Sequence, residues 1–258
     1  MKAVHVSGVE FGYPGQQPVL EDIGLGVGPT ERVGIIGPNG AGKTTLFMLI
    51  CGVVAPVAGS LEVFGQPVNP GAFQPEIGMV FHHTNDQLIC PTVREDIAFG
   101  PQNTGLNEEE VHERVTDTAA ATGITGLLDR TPHELSSGEQ RLVALTGILA
   151  MMPRLLILDE PTSDLDLRYR RRLITMLNGM KEHAILVASH DLEFILETCD
   201  RVVLLDAGRM QADGKPAEVM ADGALMEAHG LEVPHSLIAQ WHRHVGPDAD
   251  GCDGHGPG

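Results

Sequence analysis

The sequence predicts an α/β fold around a mostly parallel sheet, with an N-terminal antiparallel β-subdomain and an inserted helical subdomain. Three observations carry this. Continuously apolar runs recur, each short enough for a strand and apolar throughout, as strands buried on both faces are. Helix-like stretches separate them, and that alternation belongs to parallel sheets. One long segment, residues 91–150, breaks the alternation and reads as helix alone.

The elements follow in chain order. The first thirty residues alternate and turn often, which fits a small antiparallel sheet. "RVGIIG" (32–37) is a strand ending in glycine, and "TTLFMLICGVV" (44–54) has helical character. Strand, tight loop and helix are the local reading. "EEEVHERVTDTAAATG" and "GEQRLVALTGILAMM" are the helices of the insertion, placed at about 83–150. "RLLILDEP" (154–161), "HAILVASHD" (183–191) and "RVVLLDAGRM" (201–210) are three further strands. "RYRRRLITMLNGM" (168–180) and "LEFILETC" (192–199) are helices. One domain is expected over 1–210. Beyond it the pattern weakens into an extension, 211–258, whose end, "GPDADGCDGHGPG", is glycine-rich, acidic and expected to be disordered.

Bulk properties bound the function. The chain has 258 residues and 42% hydrophobic content, enough to bury a core. No run of about twenty apolar residues offers a membrane span. "MKAVHVSGVEFGY" lacks the apolar stretch of a secretion signal. Cys51, Cys90, Cys199 and Cys252 show no paired spacing, as expected of reduced thiols in cytosol. A net charge of −18 argues against a nucleic-acid partner, since phosphate backbones need basic patches. Only four lysines occur, Lys2, Lys43, Lys181 and Lys215, so one inside a glycine-rich loop stands out.

"GPNGAGKT" (37–44) fits G-x-x-x-x-G-K-[ST], the phosphate loop of P-loop NTPases. Gly37, Gly40 and Gly42 let the backbone turn its N–H groups onto phosphate oxygens. The helix that follows adds its positive N-terminus. Lys43 is placed for the β- and γ-phosphates of ATP, and the Thr44 hydroxyl for Mg²⁺. Asp159 and Glu160 close the strand "LLIL". Asp159 is placed for the Mg²⁺ shell and Glu160 to polarise an attacking water. His190, ending another apolar strand, is by itself an ordinary structural histidine.

The order of motifs says more than any one of them. "GPNGAGKTT", "LSSGEQRLVAL" (135–145), "LLILDEPTSDLD" and "VASHD" together resemble the nucleotide-binding subunits of ABC transporters over roughly residues 3–210. The resemblance implies roles residue by residue. Tyr13 stacks on adenine. Gly37, Pro38, Asn39, Gly40, Ala41, Gly42, Lys43, Thr44 and Thr45 hold the phosphates, and Thr44 and Asp159 the Mg²⁺. Ser136 and Gly138 reach the γ-phosphate held by the opposite subunit. Glu160 is the general base, His190 the switch histidine, and Asp166 lies in a loop crossing the dimer interface. Two subunits, identical or related, sandwich two ATP molecules, and one alone hydrolyses poorly.

Three positions depart from the family pattern. Ser137 stands for a glycine and Glu139 for a glutamine in the signature, and a carboxylate beside a triphosphate would repel it. His82 stands for the glutamine that touches the Mg²⁺ and water region. It is read as an altered sensor; the alternative is that His82 turns aside and Gln87 or water does its work. The tract "NDQLICPTVREDIAFGPQNTGL", with Asp86 and Gln87 near its start, resembles ATPases of energy-coupling factor importers, which serve cobalt, nickel or vitamins. That implies a membrane coupling protein, a substrate-capturing membrane protein and a peripheral place on the cytoplasmic face of the membrane. Cobalt or nickel is the leading cargo.

Rival readings stay open at this point. A conventional importer with an extracytoplasmic binding protein shares every catalytic motif. A non-transport ABC ATPase of DNA repair or translation usually carries two cassettes or a coiled coil, which this chain lacks. A soluble phosphotransferase needs neither "LSSGE" nor "VASHD". His82, His83 and Cys90, or His242, His244, Cys252 and His255 in the tail, fit no closed zinc motif. The tail histidines read as a polar end rather than a metal site.

Overall fold

The structure, a computed structural model, describes residues 1–82, 87–163 and 165–238. His83, Asp86 and the tail residues His242, His244, Cys252 and His255 lie outside it.

Strands β1 (Val4–Gly12) and β2 (Pro18–Val27) pair antiparallel. β4 (Ala58–Val63) and the two-residue β5 (Gln66–Pro67) complete this sheet in the order β2-β1-β4-β5. The antiparallel unit is therefore larger than the first thirty residues suggest. Its second half is separated in sequence by β3 (Arg32–Ile36) and α1 (Lys43–Ile50).

The second sheet has the order β10-β9-β3-β8-β7-β6. Here β6 is Ile77–Val80, β7 Leu155–Asp159, β8 Ala184–Ala188, β9 Arg201–Asp206 and β10 Arg209–Gly214. All its pairings are parallel except β9 with β10. Alternate residues along each parallel strand enter two different cores. Leu156, Leu158, Ile185 and Val187 join the helices. Leu155, Ile157, Ala184 and Leu186 join the antiparallel sheet and α1. Burial on both faces is why these runs are apolar without alternation.

The helical unit comprises α2 (Val93–Gln102), α3 (Glu108–Thr122) and α4 (Ser137–Ala150). Each starts with a capping box: Thr92 with Glu95, Asn107 with Glu110, Ser136 with Glu139. These reciprocal bonds satisfy first-turn N–H groups and fix where each helix begins. Two further helices, α5 (Leu167–Gly179) and α6 (Leu192–Thr198), cover the sheet.

"RVVLLDAGRM" is not one strand. The chain reverses after Asp206, with Ala207 at φ 46° and Gly208 at φ 72°. Two successive positive φ angles make the tight turn that matches a hairpin's twist. The boundary expected at residue 210 falls inside β10. After it, α7 (Pro216–Val219) and α8 (Gly223–Ala228) follow, and Met220, Met226 and Leu237 are buried in the helical core. No helix among the described residues is long and apolar enough to cross a membrane.

Candidate functional site

The carboxyl ends of β3, β6, β7 and β8 converge on one cleft of about 310 Å³, the place where open α/β sheets bind ligands. β3 feeds the loop 37–42, β7 ends in Asp159 and Glu160, β8 leads to His190, and β6 leads to His82. Asn39, Gly40, Ala41, Gly42, Lys43, Thr44 and Thr45 line the cleft with His82, Asp159, Glu160 and His190.

The loop's shape needs its glycines. Gly37 has φ 151°, and a Cβ there would sit 1.9 Å from the Leu205 carbonyl oxygen. Gly42 has φ 103° and is the N-cap of α1, so it offers no side chain to the first-turn N–H groups. Those donors are left for an anion. Lys43, only 7% exposed, donates to the carbonyls of Gly37 at 2.7 Å and Pro38 at 3.0 Å. Burial pulls its pKa below the ordinary lysine value, while Glu160 and Asp159 oppose that shift.

Thr44 Oγ1 donates to Asp159 Oδ2 at 2.8 Å. A hydroxyl and a buried carboxylate side by side are hard oxygen ligands and fit Mg²⁺. Glu160, 7% exposed, has φ 48°, a strained conformation for a residue with a side chain. Its N–H donates to the Ala188 carbonyl at 2.8 Å, which docks it beside the end of β8. Its Oε2 accepts from the His190 N–H at 3.1 Å. Its buried Oε1 has no hydrogen-bond partner among the described residues, and His190 Nε2 lies 3.4 Å away. An unpartnered buried carboxylate oxygen in a polar cleft suits a water to be activated. His190 Nε2 also lies 2.9 Å from Asn39 Oδ1 and 3.5 Å from Lys43 Nζ.

Other expected residues stand elsewhere. Tyr13 packs edge-on against Phe11, ring centroids 5.0 Å apart, and lines a separate cavity of about 410 Å³ beside Gln16 and Arg209. Ser136 and Gly138 begin α4 and do not line the cleft. Asp166 caps α5, accepting from the N–H groups of Arg168 and Tyr169. The Tyr169 ring lies so close over Gly138 that a Cβ there would meet it at 2.5 Å.

Glu139 does not stand as a free charge. Its Oε2 accepts from the Ser136 N–H at 2.9 Å and the Ser136 hydroxyl at 2.8 Å. These bonds hold its pKa below the ordinary value. Gln87 is also committed, accepting from the Phe81 N–H and donating to the Met79 carbonyl. It ties its tract to the end of β6 and stays out of the cleft that His82 lines. The Cys90 N–H donates to Asp96, and burial together with that carboxylate raises the thiol pKa, which disfavours a thiolate ligand. Among the described residues no three His, Cys, Asp or Glu side chains gather as a metal site.

Sequence reasoning missed Val19 and Ser163, which line the cleft, and Arg141, which binds beneath it. Ser163 follows "DEPT" directly and was legible. Arg141, a lone cation in the apolar stretch "RLVALTGILA", was the visible anomaly.

Comparison with known proteins agrees with this geometry. The ABC transporter family model matches residues 20–163. A Synechocystis sp. protein named as an ABC transporter ATP-binding protein is 52% identical over 91% of this chain and 82% of its own. The energy-coupling factor transporter ATP-binding protein of Methanothermobacter thermautotrophicus is 40% identical, covering 90% of this chain and 77% of its own. Among solved structures, cbiO1 of Clostridium perfringens, part of the ABC transporter complex cbiONQ, superposes with a TM-score of 0.79. It is 30% identical and covers 93% of this chain and 99% of its own. A phosphate loop, two acids and a histidine on one cleft, a capped signature helix outside it and these relatives lead to one assignment: the chain belongs to the ABC transporter family, as one of its ATP-hydrolysing subunits.

Proposed function

We propose that this ATPase powers an energy-coupling factor importer whose cargo is a transition-metal ion, cobalt or nickel. The observation that supports this reading best is the course of the tract after β6. It leaves the nucleotide cleft at His82. From Gln87 it forms one wall of a second groove, about 190 Å³, with Ile89 and Phe99 exposed beside Gly147 and Ile148 of α4. A membrane coupling protein seated in that groove would press on the segment that borders the nucleotide. The name of the Methanothermobacter relative supports the same importer type.

In the cleft, the loop 37–45 holds the triphosphate, and Lys43 meets its β- and γ-phosphates. Thr44 and Asp159 would hold Mg²⁺, which when bound neutralises phosphate charge. Glu160 takes a proton from the water that attacks the γ-phosphorus, and the bond to the leaving ADP oxygen breaks. His190, between Asn39 and Glu160, orients that carboxylate. Tyr13 meets the adenine. Ser136 and Gly138 complete the site of a second subunit, either another copy or a related ATPase.

The test is reconstitution with a membrane coupling protein and a substrate-capturing membrane protein in vesicles. ATP-driven uptake of Co²⁺ or Ni²⁺ without any extracytoplasmic binding protein is the expected result. Uptake that requires such a binding protein would assign the chain to conventional importers, and uptake of a vitamin instead would overturn the cargo.

A further inference from the structure

Arg141 is buried in α4 at 7% exposure. Its guanidinium ends on two main-chain carbonyls just beyond the ends of two sheet strands. Nη1 donates to the Glu160 oxygen at 2.7 Å and Nη2 to the His82 oxygen at 2.9 Å. The acceptors follow β7 and β6, adjacent strands in which Leu158 faces Val80. One planar fork therefore spans both strand ends, with its two donors held in fixed geometry. Arg141 does not line the nucleotide cleft, whereas Glu160 and His82 both do.

The acceptor on β7 is the strained residue. A φ of 48° at Glu160 persists only where its surroundings over-determine it. The bond from its N–H to Ala188 fixes one side of that residue; on the other, Arg141 holds the carbonyl at 2.7 Å together with the Ser163 N–H at 3.2 Å. The same helix, α4, starts at Ser136 and walls the apolar groove through Val143, Gly147 and Ile148.

We propose that Arg141 is a positioning residue for hydrolysis, whose guanidinium locks the main chain of Glu160 and His82 to α4. The aim of the Glu160 carboxylate then depends on where α4 stands. Anything that shifts α4, in the groove or at Ser136, is felt at the attacking water through one rigid fork. This rests on the reading of Glu160 as the base.

The experiment uses the assembled transporter with Arg141→Lys, Arg141→Ala and Glu160→Gln. A lysine keeps the charge but lacks the rigid planar fork whose two nitrogens reach one carbonyl each. Both Arg141 variants should lose about tenfold or more in kcat, because a misaimed base is costly. Their KM for ATP should stay within about threefold, the mark of a loss in the chemical step. Methylguanidine should restore part of the turnover of Arg141→Ala. The proposal is overturned if Arg141→Lys keeps near-normal kcat. It is also overturned if Arg141→Ala loses ATP binding together with turnover and methylguanidine restores neither, the pattern of a merely structural residue. Glu160→Gln separates the two readings. Near-normal turnover there removes the base role, whereas an inert Glu160→Gln beside fully active Arg141 variants removes this inference alone.

Discussion

At the scale of residues, Glu160 is the acid with a spare buried oxygen, and Asp159 is the one already engaged by Thr44. That difference separates their roles and sets a prediction. Glu160→Gln keeps the volume and can still accept from the His190 N–H, so the fold and ATP binding should persist. Turnover should fall by about 10²-fold or more, the contribution of a positioned base. Lys43→Ala should fail earlier, in ATP affinity, because it deletes the buried cation proposed to meet the phosphates; equilibrium binding of labelled ATP distinguishes the two variants. His82 poses a separate question. It lines the cleft, and Gln87 is tied to β6 and cannot stand in for it. A Gln at 82 restores an amide's paired donor and acceptor, so His82→Gln should preserve or raise coupled uptake. His82→Ala should uncouple uptake from ATP turnover when both are measured in the same vesicles. Unchanged uptake and turnover in both variants would remove His82 from coupling. The cleft residues legible in advance were those carried by contiguous motifs, 39–45 and 159–160, with His82 and His190 at the ends of apolar runs. Val19 reaches the cleft, and Arg141 the main chain beneath it, by tertiary packing from distant segments, and no local spacing announces either contact.

At the scale of elements, the helices were legible and one reason for their boundaries was overlooked. "TVRE", "NEEE" and "SSGE" each place a cap residue three positions before a glutamate, and each forms a capping box. The third box changes the meaning of Glu139. As a sequence departure it threatened repulsion of a triphosphate; in the fold its carboxylate is spent on Ser136. Glu139→Ala should therefore destabilise the protein by about 1 kcal/mol, the usual worth of such a cap. For a chain this size that is a Tm lower by about 2–4 °C. The sign with pH follows from the depressed pKa. The contribution is complete above the unfolded carboxyl value, about 4.3, and is lost as pH falls through the lower folded value. The Tm gap between wild type and Glu139→Ala should thus close on acidification; a gap that widens would contradict the capping role. The hairpin of β9 and β10 was hidden for a different reason. Its apolar run and its turn share "LLDAGRM", and an unbroken hydrophobic count passes over a two-residue reversal.

At the scale of the whole molecule, the fold was legible because both faces of the parallel sheet are buried and the sequence carries that constraint in every strand. The quaternary arrangement is another matter, since on the proposed reading a single chain displays only half of a shared site. Ser136 and Gly138 stand at the start of α4, outside the cleft that holds Lys43 and Glu160, and the cap of Ser136 faces no phosphate loop of its own chain. The Tyr169 ring over Gly138 ties this helix start to the start of α5, where Asp166 caps the chain. These two helix starts therefore form one surface, and a second subunit's nucleotide is what that surface would meet. If so, activity belongs to pairs. In dilute solution the ATPase rate of the purified chain should rise with roughly the square of its concentration, as mass action requires of a weak dimer. Specific activity should then climb with concentration until pairing saturates, or jump when membrane partners hold two copies together. Specific activity that stays high and flat down to nanomolar protein would mean a complete site within one chain and would end the two-chain reading. A chain inactive at every concentration, yet active on mixing with a related ATPase, would instead show that the second subunit is a relative. Glu139 bears on that choice, because its carboxylate holds the Ser136 hydroxyl. On the two-chain reading a partner's phosphate would have to draw that hydroxyl away, so Glu139→Gln should raise the rate of the paired enzyme if identical chains pair, and leave it unchanged if the relative supplies the working signature.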